Sequence, residues 1–235
     1  MSNELTVREN FMATEMDQAF MDEMQEQMQG VSMMFPRAKV AAGGLTVFEV
    51  GDDETAKSLK GVIVEQHPVN VYWQSKDIVA GAQPDCYSQD GIVGICAEGI
   101  SGPTGNCANC PLNQFGSAEG GRGKACSNKV RLYILLDGQQ VPTQLDIPAS
   151  SIKPFNQYMS WLRNHMYLPS SVVTEITLTK QQMGNNTVAV CVFKCAEKLA
   201  PEAAKSAMQY ARSMRKQTRA HSFQEVNDTY TPFEA

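Results

Sequence analysis

The stretch from Pro84 to Arg131 constrains this chain more than any other. It reads PDCYSQDGIVGICAEGISGPTGNCANCPLNQFGSAEGGRGKACSNKVR and holds five of the chain's seven cysteines. Cys107 and Cys110 form a C-x2-C pair, with Cys86 and Cys96 before it and Cys126 after it. Glycine recurs and apolar residues are sparse, so the segment cannot order itself by burying a core. A metal held by thiolates is the alternative source of order. Cys86, Cys107, Cys110 and Cys126 are the candidate ligands. Cys96 could replace Cys86 or stand as a free thiol. Zinc suits four thiolates, with an iron–sulfur cluster as the second choice. Reduced thiols in a glycine-rich loop are the plain alternative.

The chain has 235 residues, which permits one large domain or a domain with an insertion. No apolar run is long enough to span a bilayer. The N-terminus MSNELTVRENFMATEMDQ lacks the layout of a secretory signal. A cytoplasmic protein is therefore expected, in which cysteines suggest metal or buried thiols over disulfides. The net charge of −5 hides an asymmetry. Residues 1–35 and 222–235 are acidic, whereas residues 131–221 carry eleven bases and five acids. An acidic whole therefore does not exclude a nucleic-acid partner.

Residues 4–29 predict a helix, since Met12, Met16, Phe20, Met24 and Met28 recur every four residues. That flexible apolar face could dock a partner or pack on its own domain. Strands are predicted at Leu45–Val50, Leu59–Glu65 and Val69–Gln74, the last two around His67-Pro68. After the cysteine segment come a strand at Val130–Leu136, an Asp137-Gly138 turn and a return strand at Gln139–Ile147, where Pro142 suggests an edge or bulge. A helix capped by Ser150 or Ser151 follows, with Ile152, Phe155, Tyr158, Met159 and Leu162 on its apolar face. Strands at Val172–Thr179 and Thr187–Phe193 come next, and Cys191 and Cys195 there read as small buried residues. Pro201 opens a last helix with a basic end, and the acidic tail reads as disordered.

The organisation expected is an amphipathic helical segment at 1–35 and an oligonucleotide-binding-like domain at 36–200. A zinc insertion at 84–129 interrupts that domain, and a helix at 201–221 and a tail at 222–235 follow it. The fold class is mainly β (α+β), a Greek-key barrel with terminal helices; strand pattern alone also fits a sandwich.

A closed four-thiolate site leaves no position for substrate water, and the chain has no P-loop or strand–GxGxxG–helix unit. Both observations point away from an enzyme. No acid occurs from Gly120 to Leu136, and Arg122, Lys124, Lys129 and Arg131 cluster there beside Phe115 and Tyr133. Cations track phosphates and rings stack on bases, which is what a single strand of nucleic acid requires. Tyr72 is a further candidate stacker. A solvated basic strand edge is the competing reading.

The runs PDCYSQDGIVG, CANCPLNQFGS and GKACSNKVRLYILL resemble a pattern in phage- and prophage-encoded proteins described as single-stranded-DNA-binding. The resemblance spans roughly residues 44 to 195. It implies an oligonucleotide-binding-type barrel with an inserted zinc element, a role in phage DNA replication or recombination, and the bacterial host cytoplasm as location. It implies that Cys86, Cys107, Cys110 and Cys126 are the metal ligands; Cys96 falls outside the pattern. The tail ending PFEA is similar to tails through which such proteins dock replication or recombination partners, although it has fewer consecutive acids. A homo-oligomer is compatible with all of this. A zinc-stabilised interaction protein, acting through the Met-rich helix and the tail, is the second function expected.

Overall fold

The structure is a computed structural model that describes residues 5–9, 11, 23, 26–27, 35–51, 54–75, 83–97, 105–121, 123–184 and 186–220. Its strands are β1 (Thr6–Arg8), β2 (Arg37–Val40), β3 (Phe48–Val50), β4 (Glu54–Ala56), β5 (Ser58–Tyr72), β6 (Cys86–Ser88), β7 (Ile95–Cys96), β8 (Ser127–Leu136), β9 (Thr143–Ile147), β10 (Val172–Met183) and β11 (Asn186–Leu199). Helix α1 (Ala149–Asn164) lies between β9 and β10, and helix α2 (Pro201–Ala220) follows β11. The fold is mainly β. One mixed sheet runs β1-β11-β10-β5-β8-β9-β2-β3-β4, with β6 and β7 attached to the end of β5.

The sheet is built on β5 and β8, antiparallel from Gly61↔Leu136 to Val71↔Ser127. β8 is buried from Val130 to Leu135 because both of its faces are covered there. Val130, Leu132 and Ile134 pack with Phe155, Tyr158 and Leu162 of α1. Tyr133 and Leu135 pack with Ala207, Tyr210, Ala211 and Met214 of α2. A strand covered on both faces reads as a continuous apolar run, as VRLYILL does. Alternation lets β5 serve both cores, Ile63 in one and Val62 and Val64 in the other, and a register shift between Ile63 and Glu65 brings Glu65 opposite Tyr133.

Several expectations are corrected. The sheet ends in β1 and β4 and is not closed, so the expected barrel is not formed among the described residues. Residues 59–72 make one strand through Pro68, since β5 there pairs with β8 alone and a missing N–H is tolerated. Residues 6–8, placed in a helix by periodicity, pair in parallel with β11. Residues 23, 26 and 27 are helical, and the methionine stripe lies outside the described residues. α1 starts at Ala149 with Pro148 in the cap position, and Ser151 is buried instead. Its hydroxyl accepts a hydrogen bond from the Cys191 N–H at 2.9 Å, tying α1 to β11. Cys191 and Cys195 are buried in the core as expected. Among the described residues no helix is long and apolar enough to cross a membrane.

On the α2 face, β8 and β9 share a buried ion pair. Arg131 donates from Nε and Nη2 to the two carboxylate oxygens of Asp146, at 2.8 and 3.0 Å. Burial works against the Asp146 charge, but the Arg131 cation and its hydrogen bonds outweigh it and hold the carboxyl below its usual range. Removing the carboxylate in Asp146→Ala strands a buried cation and is expected to cost about 3 kcal/mol, read from urea unfolding. Stability from a lowered carboxyl pKa is complete above the unfolded value of about 3.9 and is lost as pH falls through the folded value. Asp146→Asn should therefore flatten the acid limb of a Tm-versus-pH curve. An unchanged acid limb would refute that assignment.

Candidate functional site

The end of β5 gathers the cysteines. β6 pairs with β5 at Tyr72↔Cys86, and β8 pairs with it at Val71↔Ser127, one residue after Cys126. Cys86 and Cys126 thus arrive on opposite flanks of the same strand end. β7 places Cys96 directly across from Cys86. The loop carrying Cys107 and Cys110 is stitched above them. The Cys107 N–H donates to the Ile92 carbonyl and the Cys126 N–H to the Leu112 carbonyl, each at 2.8 Å.

The polar residues of the segment fix this knuckle where no apolar core could. Asp90 Oδ1 accepts from Ser88 Oγ and from the N–H groups of Ile92 and Val93, which closes the β6–β7 turn. Burial opposes the Asp90 charge, yet the Val93 and Ile92 N–H groups and the Ser88 hydroxyl together hold its carboxyl below the usual range. Asn128 donates to Asn70 Oδ1 at 2.6 Å and to Asn113 Oδ1 at 2.9 Å. Asn113 in turn donates to the Cys107 carbonyl at 2.7 Å, and Lys124 Nζ donates to Asn113 Oδ1 at 3.3 Å. A chain of three amides therefore joins β5, β8 and the knuckle. Gly91 lies on Pro68, where an added Cβ would come within 2.9 Å of the proline ring.

Five cysteines, Cys86, Cys96, Cys107, Cys110 and Cys126, line one cavity of about 20 Å³. Tyr72 and Asn113 also line it, and no carboxylate or histidine does so among the described residues. Gly94 is the cradle of this cavity: a Cβ there would meet Cys86 Sγ at 3.3 Å and Cys107 Sγ at 3.7 Å. Cys86 and Cys96 are joined as a disulfide, and Cys107, Cys110 and Cys126 are free. Among the described residues no group of three or more histidine, cysteine or carboxylate side chains is arranged to hold a metal ion, and the disulfide takes two of the five sulfurs out of such a role. Burial pushes the Cys126 thiol up to about 11, with Cys107 and Cys110 adding to the effect and Lys124 and the Val71 N–H opposing it. A bound dication reverses that order, because a coordinated thiol is deprotonated. With Cys86 reduced, thiolates around this space for about one water-sized sphere would suit a single thiophilic ion.

A second hollow adjoins the first, and Cys126 lines both. It is an open groove of about 980 Å³. Phe115, Lys124, Ser127 and Asn128 form one wall. The other is the outer stripe of α1, where Ile152, Lys153, Asn156, Gln157, Ser160, Trp161 and Asn164 recur at helical spacing. Phe115 is 82% exposed and Trp161 38%. Lys124 Nζ stands 5.2 Å over the Phe115 ring. Trp161 stacks on His165 with centroids 4.1 Å apart. Among the described lining residues there is no carboxylate.

The predicted contact residues divide between these surroundings. Phe115 and Lys124 reach the groove, and Tyr72 faces the thiol cavity instead. Lys129, Arg131 and Tyr133 alternate onto the α2 side of β8, away from the groove. Arg131 is committed to Asp146, and Tyr133 is fully buried with its hydroxyl donating to the Thr218 carbonyl, so neither can contact a ligand strand. Arg122 lies outside the described residues. Sequence reading missed the α1 wall; its signal was the stripe of amides around Trp161, which reads equally as a solvated helix face. Comparison with known families, curated proteins and solved structures finds no match to this chain.

Asn113→Ala removes the central amide of the chain that holds the knuckle. The expected cost is about 1–3 kcal/mol, felt locally. Thiol labelling of Cys107, Cys110 and Cys126 in the metal-free protein should accelerate about tenfold, while Cys191 and Cys195 stay protected. Equal acceleration at the core cysteines would mean that the network supports the whole fold instead.

Proposed function

We propose that this chain binds single-stranded DNA with little sequence preference, in replication or recombination of a phage or mobile element, and that the strand lies in the groove between the knuckle and α1. The lining of the groove carries this reading. Phe115 and Trp161 stand exposed on opposite walls, Lys124 and Lys153 accompany them, and no described carboxylate opposes a phosphate. Rings stack on any base and lysines follow any backbone, which gives affinity without a sequence code. Asn128, Asn156, Gln157 and Asn164 offer both donors and acceptors along the path. A Greek-key barrel is not needed for such a groove, whose walls are a loop, a strand start and a helix.

Within this reading Cys86, Cys107, Cys110 and Cys126 hold one zinc ion. The five cysteines around the cavity suit zinc, and its small volume favours one ion over an iron–sulfur cluster. Zinc supplies a cross-link there and no reaction. Through Cys126 the cross-link reaches the groove wall, so Phe115 and Lys124 are presented on a fixed loop. The acidic tail would dock replication or recombination proteins.

The test is fluorescence anisotropy with a labelled oligothymidine across a salt series, beside a matched RNA. Phe115→Ala and Trp161→Ala should each weaken binding by about fivefold to a hundredfold, the value of one base–aromatic stack. Lys124→Ala with Lys153→Ala should reduce the log–log salt slope by about 1.4. Lys129→Ala, on the opposite face, should change little. Binding that is absent or indifferent to salt would overturn the proposal, as would a Lys129→Ala loss equal to that of Lys124→Ala.

A further inference from the structure

Five sulfurs share a cavity in which a tetrahedral ion uses four, so one is surplus. Cys86 sits beside Cys107 at the Gly94 cradle. Cys96 lies on β7, which among the described residues pairs only with β6, and is half-buried next to the exposed Ile95. Cys96 is therefore the surplus thiol, and its one direct cross-strand partner is a ligand, Cys86. The structure holds these two joined, with a Cα–Cα separation of 4.0 Å.

From this we infer that Cys96 is an oxidation-sensing thiol that withdraws Cys86 from the metal site by forming a disulfide with it. The inference rests on the zinc reading above and adds regulation to it. The oxidant is a peroxide. One cysteine sulfur attacks a peroxide oxygen, the O–O bond breaks, and a sulfenic acid and water result. The second sulfur then displaces the sulfenic oxygen as water, and the S–S bond forms. Overall, two thiols lose two electrons and two protons, and hydrogen peroxide becomes two waters. Three thiolates remain, fewer than a closed site needs, and the ion is released. Because Cys126 lines both the cavity and the groove, release loosens the wall that presents Phe115 and Lys124.

The test uses the full chain, reduced and loaded with zinc, and exposed to hydrogen peroxide. Zinc release is followed with a chromogenic chelator and disulfides by peptide mass. Wild type should release one zinc per chain with a Cys86–Cys96 disulfide, and should reload after reduction by a dithiol. Cys96→Ser should bind zinc equally and release it at least tenfold more slowly. In wild type, oxidation should weaken oligothymidine binding about tenfold, and in Cys96→Ser it should not. Zinc bound but lost equally fast from Cys96→Ser overturns this inference alone. The same holds if Cys96→Ser loses the metal while Cys86→Ser keeps it. Reduced wild type that binds no zinc overturns the zinc reading itself.

Discussion

The antiparallel ladder between β5 and β8 is the interaction on which everything else depends. It is among the longest pairings in the sheet, and its strands are separated in sequence by the whole cysteine insertion. Closing a loop of that length costs entropy that rises only slowly with length, and the ladder meets that cost with buried apolar contacts on both faces. The insertion therefore starts and ends at neighbouring strand ends whether or not a metal is bound. What remains is to order its interior. The Asn70–Asn128–Asn113 chain, the Asp90 turn and the proposed zinc share that task.

Alternation along β8 divides its chemistry in two. Even-numbered residues from Asn128 to Ile134 face the groove and the α1 core, and odd-numbered residues from Arg131 to Leu135 face α2. The basic run that is dense in sequence is therefore dispersed in space. Arg131 neutralises Asp146 inside the protein, and Arg215 of α2 approaches buried Glu65 at 3.1 Å. Part of the positive charge of the C-terminal half is thus structural, and lysines on a loop and a helix are left to line the groove.

Much of the fold was legible where local signals and burial agree. The VRLYILL run, the Asp137-Gly138 turn, the Phe155–Tyr158–Leu162 face and the Pro201 start all lie where the pattern places them. That five cysteines share one cavity was legible too, because a glycine-rich segment with few apolar residues has little else to fold around, whereas the Cys86–Cys96 disulfide runs against the expectation of reduced thiols. Three features were hidden for physical reasons. β1 is a three-residue strand whose partner lies near the other end of the chain, so no local pattern marks it. A strand buried on both faces hides which parity faces which layer, and this misplaced Arg131 and Tyr133. The outer stripe of α1 became a wall only through its packing against β8 and β11, which no helix periodicity encodes.

Pro68 has a consequence beyond its tolerance within β5. Between the residues that pair with β10 and those that pair with β6, β5 has a strand partner on one flank only among the described residues. Left uncovered, such a gap would be a template to which a foreign strand could add, but most of β5 there is buried and the turn Pro169–Ser171 packs against the strand. A residue with no N–H occupies it, and the Gly91 turn lies across that residue. The insertion is thus also a cover. By resting on Pro68 it completes the cover that keeps this stretch of backbone from pairing with other copies of the chain, whether or not a ligand is bound.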